Sequence, residues 1–152
     1  MLIISGGQTG ADRAALQAAK ACFLATGGWM PRGYRAQDGF HPEFKELYNM
    51  SEHFSSDYPP RTESNITSST GTILFATDWK SPGEKLTLKL LKKHKRPYKQ
   101  INVPIDLDPR LLVEWFELEN IDVLNVAGNS EKTSPGIEIV VEEYLKSVFK
   151  LL

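Results

Sequence analysis

The sequence predicts an α/β domain with a Rossmann-like, three-layer fold and a mostly parallel sheet of about five strands. Two observations support this prediction. Short apolar segments alternate with longer segments of helical period along most of the chain. The chain also begins with an apolar run that ends in glycines, an order typical of a strand, a tight turn and a helix. Because 152 residues suit one domain with a buried core, residues 1–152 are expected to form a single unit.

The first half of the chain holds two predicted strands and one helix. Leu2–Ile4 is an apolar run of the kind found in buried parallel strands. Ala11–Leu24 is rich in alanine, and its larger apolar residues recur on one helical face. Gly27–Met30 is expected to be a short strand that Pro31 closes. The following residues, 32–60, show no clear period, and a long irregular segment inside a compact domain is usually functional.

The second half continues the alternation. Arg61–Ser69 is expected to be a helix with polar faces, and Thr72–Ala76 is the clearest strand in the chain. Leucines, aromatic residues and valines then recur at helical spacing between shorter apolar runs. The remaining predicted elements are a helix at Gly83–Lys93, a strand at Pro97–Val103, a helix at Pro109–Leu118, a strand at Ile121–Val126 and a helix at Pro135–Phe149.

Composition limits the location and the classes of partner. Lysine and arginine number 18 and acidic residues 19, for a net charge of −1, so no excess of charge favours nucleic acid. No apolar run approaches the roughly 20 residues that span a bilayer, and no signal peptide is evident. The single cysteine, Cys22, excludes an internal disulfide. We therefore expect a soluble cytoplasmic protein without a nucleic-acid or membrane partner.

The strongest motif is the glycine-rich segment that follows the first strand, Ser5-Gly-Gly-Gln-Thr-Gly-Ala-Asp12. Glycines allow a sharp turn and close approach to a ligand, and a helix start offers free N–H groups and a positive dipole end. Thr9 and Asp12 have the spacing of a capping box, with Thr9 as the cap. We predict a phosphate-binding loop, and its candidate residues are Gly6, Gly7, Gln8, Thr9, Gly10 and Asp12. The alternative is a plain strand–helix turn.

This loop differs from two common nucleotide-binding motifs. It lacks the Gly-Lys-Ser/Thr of a P-loop. Ser5, Gly7 and Gly10 have the dinucleotide-binding spacing, but the acidic residue expected about twenty residues later is missing. Arg32 and Arg35 occupy that region instead, so NAD is not expected and an additional anionic group would be accommodated.

Other loops are expected at the same edge of a parallel sheet. Gly128 and Asn129 follow the last predicted strand, and Lys80 and Gly83 follow another. Arg32 and Arg61 flank the irregular segment and could bind phosphate through their guanidinium groups. The alternatives are an ordinary strand–helix connection for each loop and solvated surface positions for the arginines.

Several features do not indicate a site. The basic cluster Lys92–Arg96 ends a predicted helix, where cations favour the helix dipole. His41, His53 and His94 are scattered without metal-ligand spacing. Cys22 lies on the apolar helix face, and the chain has no Gly-x-Ser-x-Gly nucleophile motif.

Taken together, these motifs resemble the molybdenum-cofactor carrier family, which is similar to the lysine-decarboxylase-like LOG proteins in circularly permuted form. The resemblance covers nearly the whole chain in one register. The segments that carry it are Ser5–Leu16, Gly28–Gly33, Arg35–Gly39, Arg61–Asn65, Asn125–Gly128 and Pro135–Ile137.

The resemblance implies a Rossmann-like fold, a homo-oligomer (dimer or tetramer) and binding of molybdenum cofactor, a pterin with a dithiolene, a terminal phosphate and a molybdenum oxo group. The first-loop role of the family would fall on Gly6–Gly10 and the second-loop role on Gly128 and Asn129. The metal would arrive inside the cofactor, and proteins of cofactor synthesis or molybdoenzymes would be the partners. We expect a carrier with no catalytic residue.

Two alternatives remain. One is a nucleotide or N-glycoside hydrolase with Asp12 or Glu63 as acid/base, and the other is a nucleotide-sensing module. The related phosphoribohydrolases have a Pro-Gly-Gly-x-Gly-Thr-x-x-Glu motif. Here Ser5 replaces the proline, an extra residue separates the glycines and no matching Thr-x-x-Glu follows. Turnover of nucleoside monophosphates is therefore not expected.

Overall fold

The computed structural model describes residues 1–152, and strands and helices alternate along most of them. The strands are β1 Leu2–Ser5, β2 Ala25–Gly27, β3 Trp29–Met30, β4 Arg35–Ala36, β5 Gly39–Phe40, β6 Ser51–Glu52, β7 Gly71–Ala76, β8 Tyr98–Asn102 and β9 Val123–Gly128. The helices are α1 Ala11–Ala21, α2 Phe44–Tyr48, α3 Tyr58–Thr67, α4 Pro82–Lys93, α5 Pro109–Leu118 and α6 Ile137–Phe149.

Five strands form the central sheet in the order β2-β1-β9-β7-β8, and every neighbouring pair is parallel. The chain runs outward from β1 through α1 to β2 on one side and from β7 through α4 to β8 on the other. The strand order therefore reverses around β9. In open α/β sheets such a reversal leaves a crevice beyond the carboxyl ends of the strands. The predicted Rossmann-like fold with five parallel strands is confirmed.

Helices cover both faces of the sheet and produce the predicted three layers. All six residues of β7 are buried, as expected of a central parallel strand. Because side chains alternate along a strand, Ile73 and Phe75 pack with residues of α1, α5 and α6, whereas Leu74 packs with residues of α3 and α4. None of the helices has the length and apolar character needed to cross a membrane.

The predicted strand Gly27–Met30 is divided at Gly28 between two strands, so its prediction as one continuous strand is wrong. Ala25–Gly27 pairs with β1, whereas Trp29–Met30 leaves the central sheet and pairs with β6. Gly28 marks the change of direction: its φ is 123°, and a Cβ there would overlap the backbone of Ser5. This close approach to another strand is a long-range constraint that local apolar pattern does not reveal.

Residues 32–60, predicted to be irregular, contain the β4–β5 hairpin, α2 and β6. They pack on a small separate core that includes Leu16, Met30 and Phe44. Arg13 fastens the segment to α1, because its Nη2 donates to Asp38 Oδ1 at 3.0 Å and to the Gly7 carbonyl at 3.2 Å. The segment is therefore a cover over the first glycine loop.

Candidate ligand-binding site

A cavity of about 410 Å³ lies at the carboxyl edge of the sheet, where β1, β9 and β7 end. Its wall is formed by the loops after β1 and β9 and by the first turns of α3 and α4. The volume falls in the range of roughly 300–1,000 Å³ that is typical of small-molecule sites. The predicted site residues that line it are Gly6, Gln8, Asp12, Arg61, Gly83 and Gly128.

The other predicted residues lie outside the cavity lining. Arg32 and Lys80 are exposed, and the Lys80 N–H donates to Asp78 Oδ1 at 2.9 Å. The remaining residues of this group, all from the two glycine loops, are Gly7, Thr9, Gly10 and Asn129. Contact of these residues with a ligand stays a prediction.

The glycines of the first loop have two different roles. A Cβ at Gly6 would overlap the Arg61 guanidinium and the Asp12 carboxylate, so this glycine lets two charged side chains reach the backbone. Gly7 and Gly10 have φ of 69° and 86°, and a Cβ there would overlap Met30 and the Asn129 carbonyl, respectively. Packing inside the protein therefore requires Gly7 and Gly10 to be glycine.

The N–H groups of this loop are largely bound by the chain itself. The Gln8 N–H donates to Asp12 Oδ2 at 3.3 Å, the Gly10 N–H to Glu138 Oε1 at 2.9 Å and the Ala11 N–H to the Asn129 carbonyl at 3.1 Å. The predicted capping box is wrong, because Gly10 is the N-cap of α1 and makes no side-chain cap bond. Thr9 Oγ1 instead accepts from the Glu131 N–H at 3.3 Å.

The second loop joins the ends of two strands. Asn129 is 1% exposed, and its Oδ1 accepts from the N–H groups of Thr77 and Asp78 at 2.9 and 3.0 Å. Its Nδ2 donates to the Asp78 carbonyl at 3.0 Å. Asn129 thus fixes the loop after β9 to the loop after β7, while Gly128 faces the cavity.

Arg61 is the cation of the cavity. Its side chain is 12% exposed, its Nε is buried without a hydrogen-bond partner, and Tyr58 packs against its guanidinium. Arg61 Nη1 lies 3.6 Å from Asp12 Oδ2, which is beyond ordinary hydrogen-bonding distance. The guanidinium therefore keeps donors that the protein does not use.

Asp12 lies beneath Arg61 and is 5% exposed. Burial raises the pKa of its carboxyl, while the Arg61 guanidinium and the Gln8 N–H oppose that rise. The carboxylate supports the loop through Gln8 and also faces the cavity.

Glu84 is the site residue that the sequence analysis missed. It lies in the first turn of α4, is 6% exposed and lines the cavity. Burial raises its pKa to about 7, although the Asn129 amide acts in the opposite direction. Ser81 Oγ donates to Glu84 Oε2. Ser81 and Glu84 have the spacing of a capping box directly after β7, a signal that could have identified this turn.

Asn65 anchors the wall of the cavity that α3 forms. It is 2% exposed, and its side chain accepts from the Trp29 N–H at 2.8 Å and donates to the Trp29 carbonyl at 3.0 Å. This pair of bonds satisfies the backbone of β3 and holds α3, and with it Arg61, against the sheet edge.

Glu63, which also lies on α3, is outside the cavity lining. Its Oε1 contacts His94 Nε2 at 2.7 Å and Lys93 Nζ at 3.1 Å, and these two groups lower its pKa. Its assignment as an acid/base of this cavity is therefore wrong.

Comparison with known proteins gives two matches. The profile of the circularly permutated YpsA SLOG family matches residues 3–149. A crystal structure from Syntrophus aciditrophicus SB, described as that of a molybdenum carrier protein, has a TM-score of 0.88 and 35% sequence identity, covering 97% of this chain and 93% of the other. No curated protein matches the chain.

Proposed function

The chain belongs to the circularly permutated YpsA SLOG family, and on that premise we propose that it binds molybdenum cofactor as cargo and carries it without altering it. The family and the description of the Syntrophus protein support a ligand-binding role. The finer proposal concerns the identity of the ligand. It rests on the charges and donors that face the cavity.

The observation that carries the proposal is the state of Arg61. A buried guanidinium whose Nε has no partner and whose nearest carboxylate is 3.6 Å away is an unfavourable arrangement in the protein alone. An anion in the cavity would accept hydrogen bonds from the Nη groups of Arg61, while the enclosed Nε remains part of the positive charge that attracts it. Hydrogen bonds between charged groups are worth about 1.5–3 kcal/mol each, so the ligand would gain much of its affinity here.

The wall of the cavity that α4 forms has a different character. The first turn of α4 faces the cavity through Ser81, Pro82, Gly83 and the buried acid Glu84. Pro82 has no N–H to donate, and an acid disfavours a second negative charge beside it. In the proposal, the anionic end of molybdenum cofactor therefore lies at Arg61 and its polar pterin ring lies toward α4.

The donor set also suits a cofactor that brings its own metal. The chain has no group of three or more His, Cys, Asp or Glu side chains placed to hold a metal ion. The only cysteine, Cys22, is the C-cap of α1, at the end of the helix away from the cavity, and its Sγ is 3.9 Å from the Lys146 carbonyl. In the proposal, the dithiolene of the cofactor holds molybdenum, and the protein binds the phosphate, the pterin and the oxo group.

We further propose that the carrier is a homo-oligomer, dimer or tetramer, that acts in the cytoplasm. It would exchange cofactor with proteins of cofactor synthesis or with molybdoenzymes. The hydrolase alternative loses one of its two acid/base candidates, because Glu63 lies outside the cavity.

The proposal is tested by mass spectrometry of the ligand that protein purified without oxygen releases, and by the affinity of wild-type protein for isolated cofactor. Arg61→Ala should bind the cofactor about 10–100-fold more weakly. Arg32→Ala is the matched control, because Arg32 is exposed and lies outside the cavity. Release of a nucleotide in place of a pterin, or equal losses in the two variants, would contradict the proposal.

A further inference from the structure

Glu84 has no structural role that explains its burial. It is 6% exposed, and the donors that reach its carboxyl within the chain are neutral: the Ser81 hydroxyl, the Asn129 amide and its own backbone N–H. In a capping box the glutamate would accept from the N-cap backbone, but α4 makes no side-chain cap bond. A buried carboxylate without a cation costs stability, and groups of this kind that line a cavity are candidates for contact with a ligand.

The charges around Glu84 do not supply that partner. The nearest ionisable groups that influence it are Asp12 and Asp78, and both disfavour its charged form. Lys85, the next residue along the chain, and Lys80 are both exposed and lie outside the cavity lining. The Glu84 carboxylate therefore lines the cavity without a cation beside it, and hydrogen-bond donors from a ligand would stabilise its charged form.

A pair of neighbouring N–H donors matches a carboxylate best, because its two oxygens accept in parallel. A 2-amino-4-oxo heterocycle presents such a pair, the 2-amino group and the ring N3–H. Pterin has this edge, and guanine presents the equivalent pair, its 2-amino group and N1–H. A 2,4-dioxo ring such as lumazine has an oxygen in place of the amino group, and adenine lacks the N–H at the equivalent ring position.

We propose that Glu84 binds the 2-amino and N3–H edge of the ligand and thereby selects a 2-amino-4-oxo heterocycle at the α4 wall of the cavity. This inference rests on the proposed function, because it places the pterin of the cofactor in the same cavity. Arg61 on α3 binds the anionic part, and Glu84 on α4 binds the donor edge. The two charged side chains then bind different parts of one ligand, an anionic group and an edge of hydrogen-bond donors.

The test uses 6-hydroxymethylpterin and 6-hydroxymethyllumazine, two fluorescent probes that differ in the group at position 2. Wild-type protein should bind the pterin roughly 10–100-fold more tightly than the lumazine. Glu84→Gln replaces one acceptor by a donor, so it should weaken pterin binding and reverse the preference toward lumazine. Glu63→Gln, a matched change outside the cavity, should keep the wild-type preference.

A second measurement does not need a variant. Since burial raises the Glu84 pKa to about 7, pterin affinity of the wild-type protein should fall as the pH drops below 7, because a protonated carboxyl loses an acceptor. Lumazine affinity should change less. Thermal unfolding of Glu84→Gln establishes that the variant is folded.

The outcomes separate this inference from the proposed function. If wild-type protein releases molybdenum cofactor but Glu84→Gln keeps the pterin preference, the inference is overturned and the carrier function stands. If no cofactor is released but GMP binds more tightly than AMP and Glu84→Gln abolishes that difference, the inference stands and the carrier function is wrong. Failure of the wild-type protein to prefer pterin over lumazine overturns the inference directly.

Discussion

Two helix starts at the carboxyl edge of the sheet occupy equivalent places in the fold but differ in whether the chain itself binds their N–H groups. The glycine loop after β1 and the first turn of α4 both follow a parallel strand, start a helix and border the cavity. In the glycine loop, Asp12, Glu138 and the Asn129 carbonyl take up the N–H groups. The first turn of α4 has no cap. Glycines therefore indicate close backbone packing, and the availability of a helix start depends on acceptors from distant residues.

The largest effect should come from adding the same methyl group to both regions. Gly10→Ala should lower the free energy of unfolding by about 3–5 kcal/mol, because φ is 86° and the Cβ would overlap the Asn129 carbonyl. Gly83→Ala should raise it by about 0.5–1 kcal/mol, since that Cβ has no neighbour within 4 Å and alanine favours the helix. Urea unfolding measures both changes, and effects of equal sign would remove the distinction between the two regions.

The second prediction concerns the ionisation of Glu84 in the first turn of α4. The ordinary pKa of Glu84, 4.5, rises to about 7 in the folded protein, so the native state binds more protons than the unfolded state between these values. This carboxyl therefore makes stability fall as the pH rises from 4.5 to 7. Glu84→Gln removes the effect. Its unfolding free energy should match that of the wild type near pH 4.5 and exceed it by on the order of 2 kcal/mol at pH 8.

The control for this pH series is Glu63→Gln. His94 and Lys93 lower the pKa of Glu63, so its charged form stabilises the native state above the ordinary pKa and the contribution disappears as the pH falls through the lowered value. Glu63→Gln should therefore lower the free energy of unfolding at neutral pH, the opposite of the effect expected for Glu84→Gln. A Glu84→Gln difference that stays constant between pH 4.5 and 8 would show that the carboxyl is not perturbed in the native state.

The smallest effect concerns the acceptor that closes the glycine loop. Glu138→Ala removes the carboxylate that binds the Gly10 N–H at 2.9 Å, and loss of such a cap costs about 1 kcal/mol. Cofactor affinity should not change, because Glu138 lies outside the cavity lining. Unfolding and binding measured on the same variant test this pair of expectations. A gain in affinity would mean that the freed Gly10 N–H takes part in binding the ligand.

The parts of this structure that were predictable are those that local sequence determines. β7 is apolar at most positions and is buried throughout, as predicted. α3 was predicted to begin at Arg61 but begins at Tyr58, because Pro59 and Pro60, which were assigned to the irregular segment, occupy its first turn, where proline is favourable. Gly27–Met30 was predicted as one strand because the sequence does not show that Gly28 packs against the backbone of Ser5, which belongs to β1. Elements that depend on residues close in the sequence could be predicted, whereas those that depend on contacts with distant residues could not.

The site itself depends on contacts between distant residues. Arg32 and Arg61 are equivalent by residue type and both flank the irregular segment, yet only Arg61 lines the cavity. The difference arises because α3 is held by Asn65 against β3, a contact between residues 36 positions apart. Glu84 was overlooked because a glutamate in the first turn of a helix is ordinarily a solvated residue that favours the dipole. Its burial follows from packing and not from its position in the sequence.

The strand order also determines when this site can exist during synthesis of the protein. β9 is the central strand of the sheet, but it follows the other four strands of that sheet in the sequence and is synthesised after them. Until Val123–Gly128 emerges, β1–β2 and β7–β8 are separate ribbons, each with an unpaired edge that can associate with other chains. The insertion of β9 joins the ribbons and brings α1, α3 and α4 around one cavity. The cavity therefore cannot form before Val123–Gly128 has been synthesised, so ligand binding there depends on the strand of the sheet that comes last in the sequence.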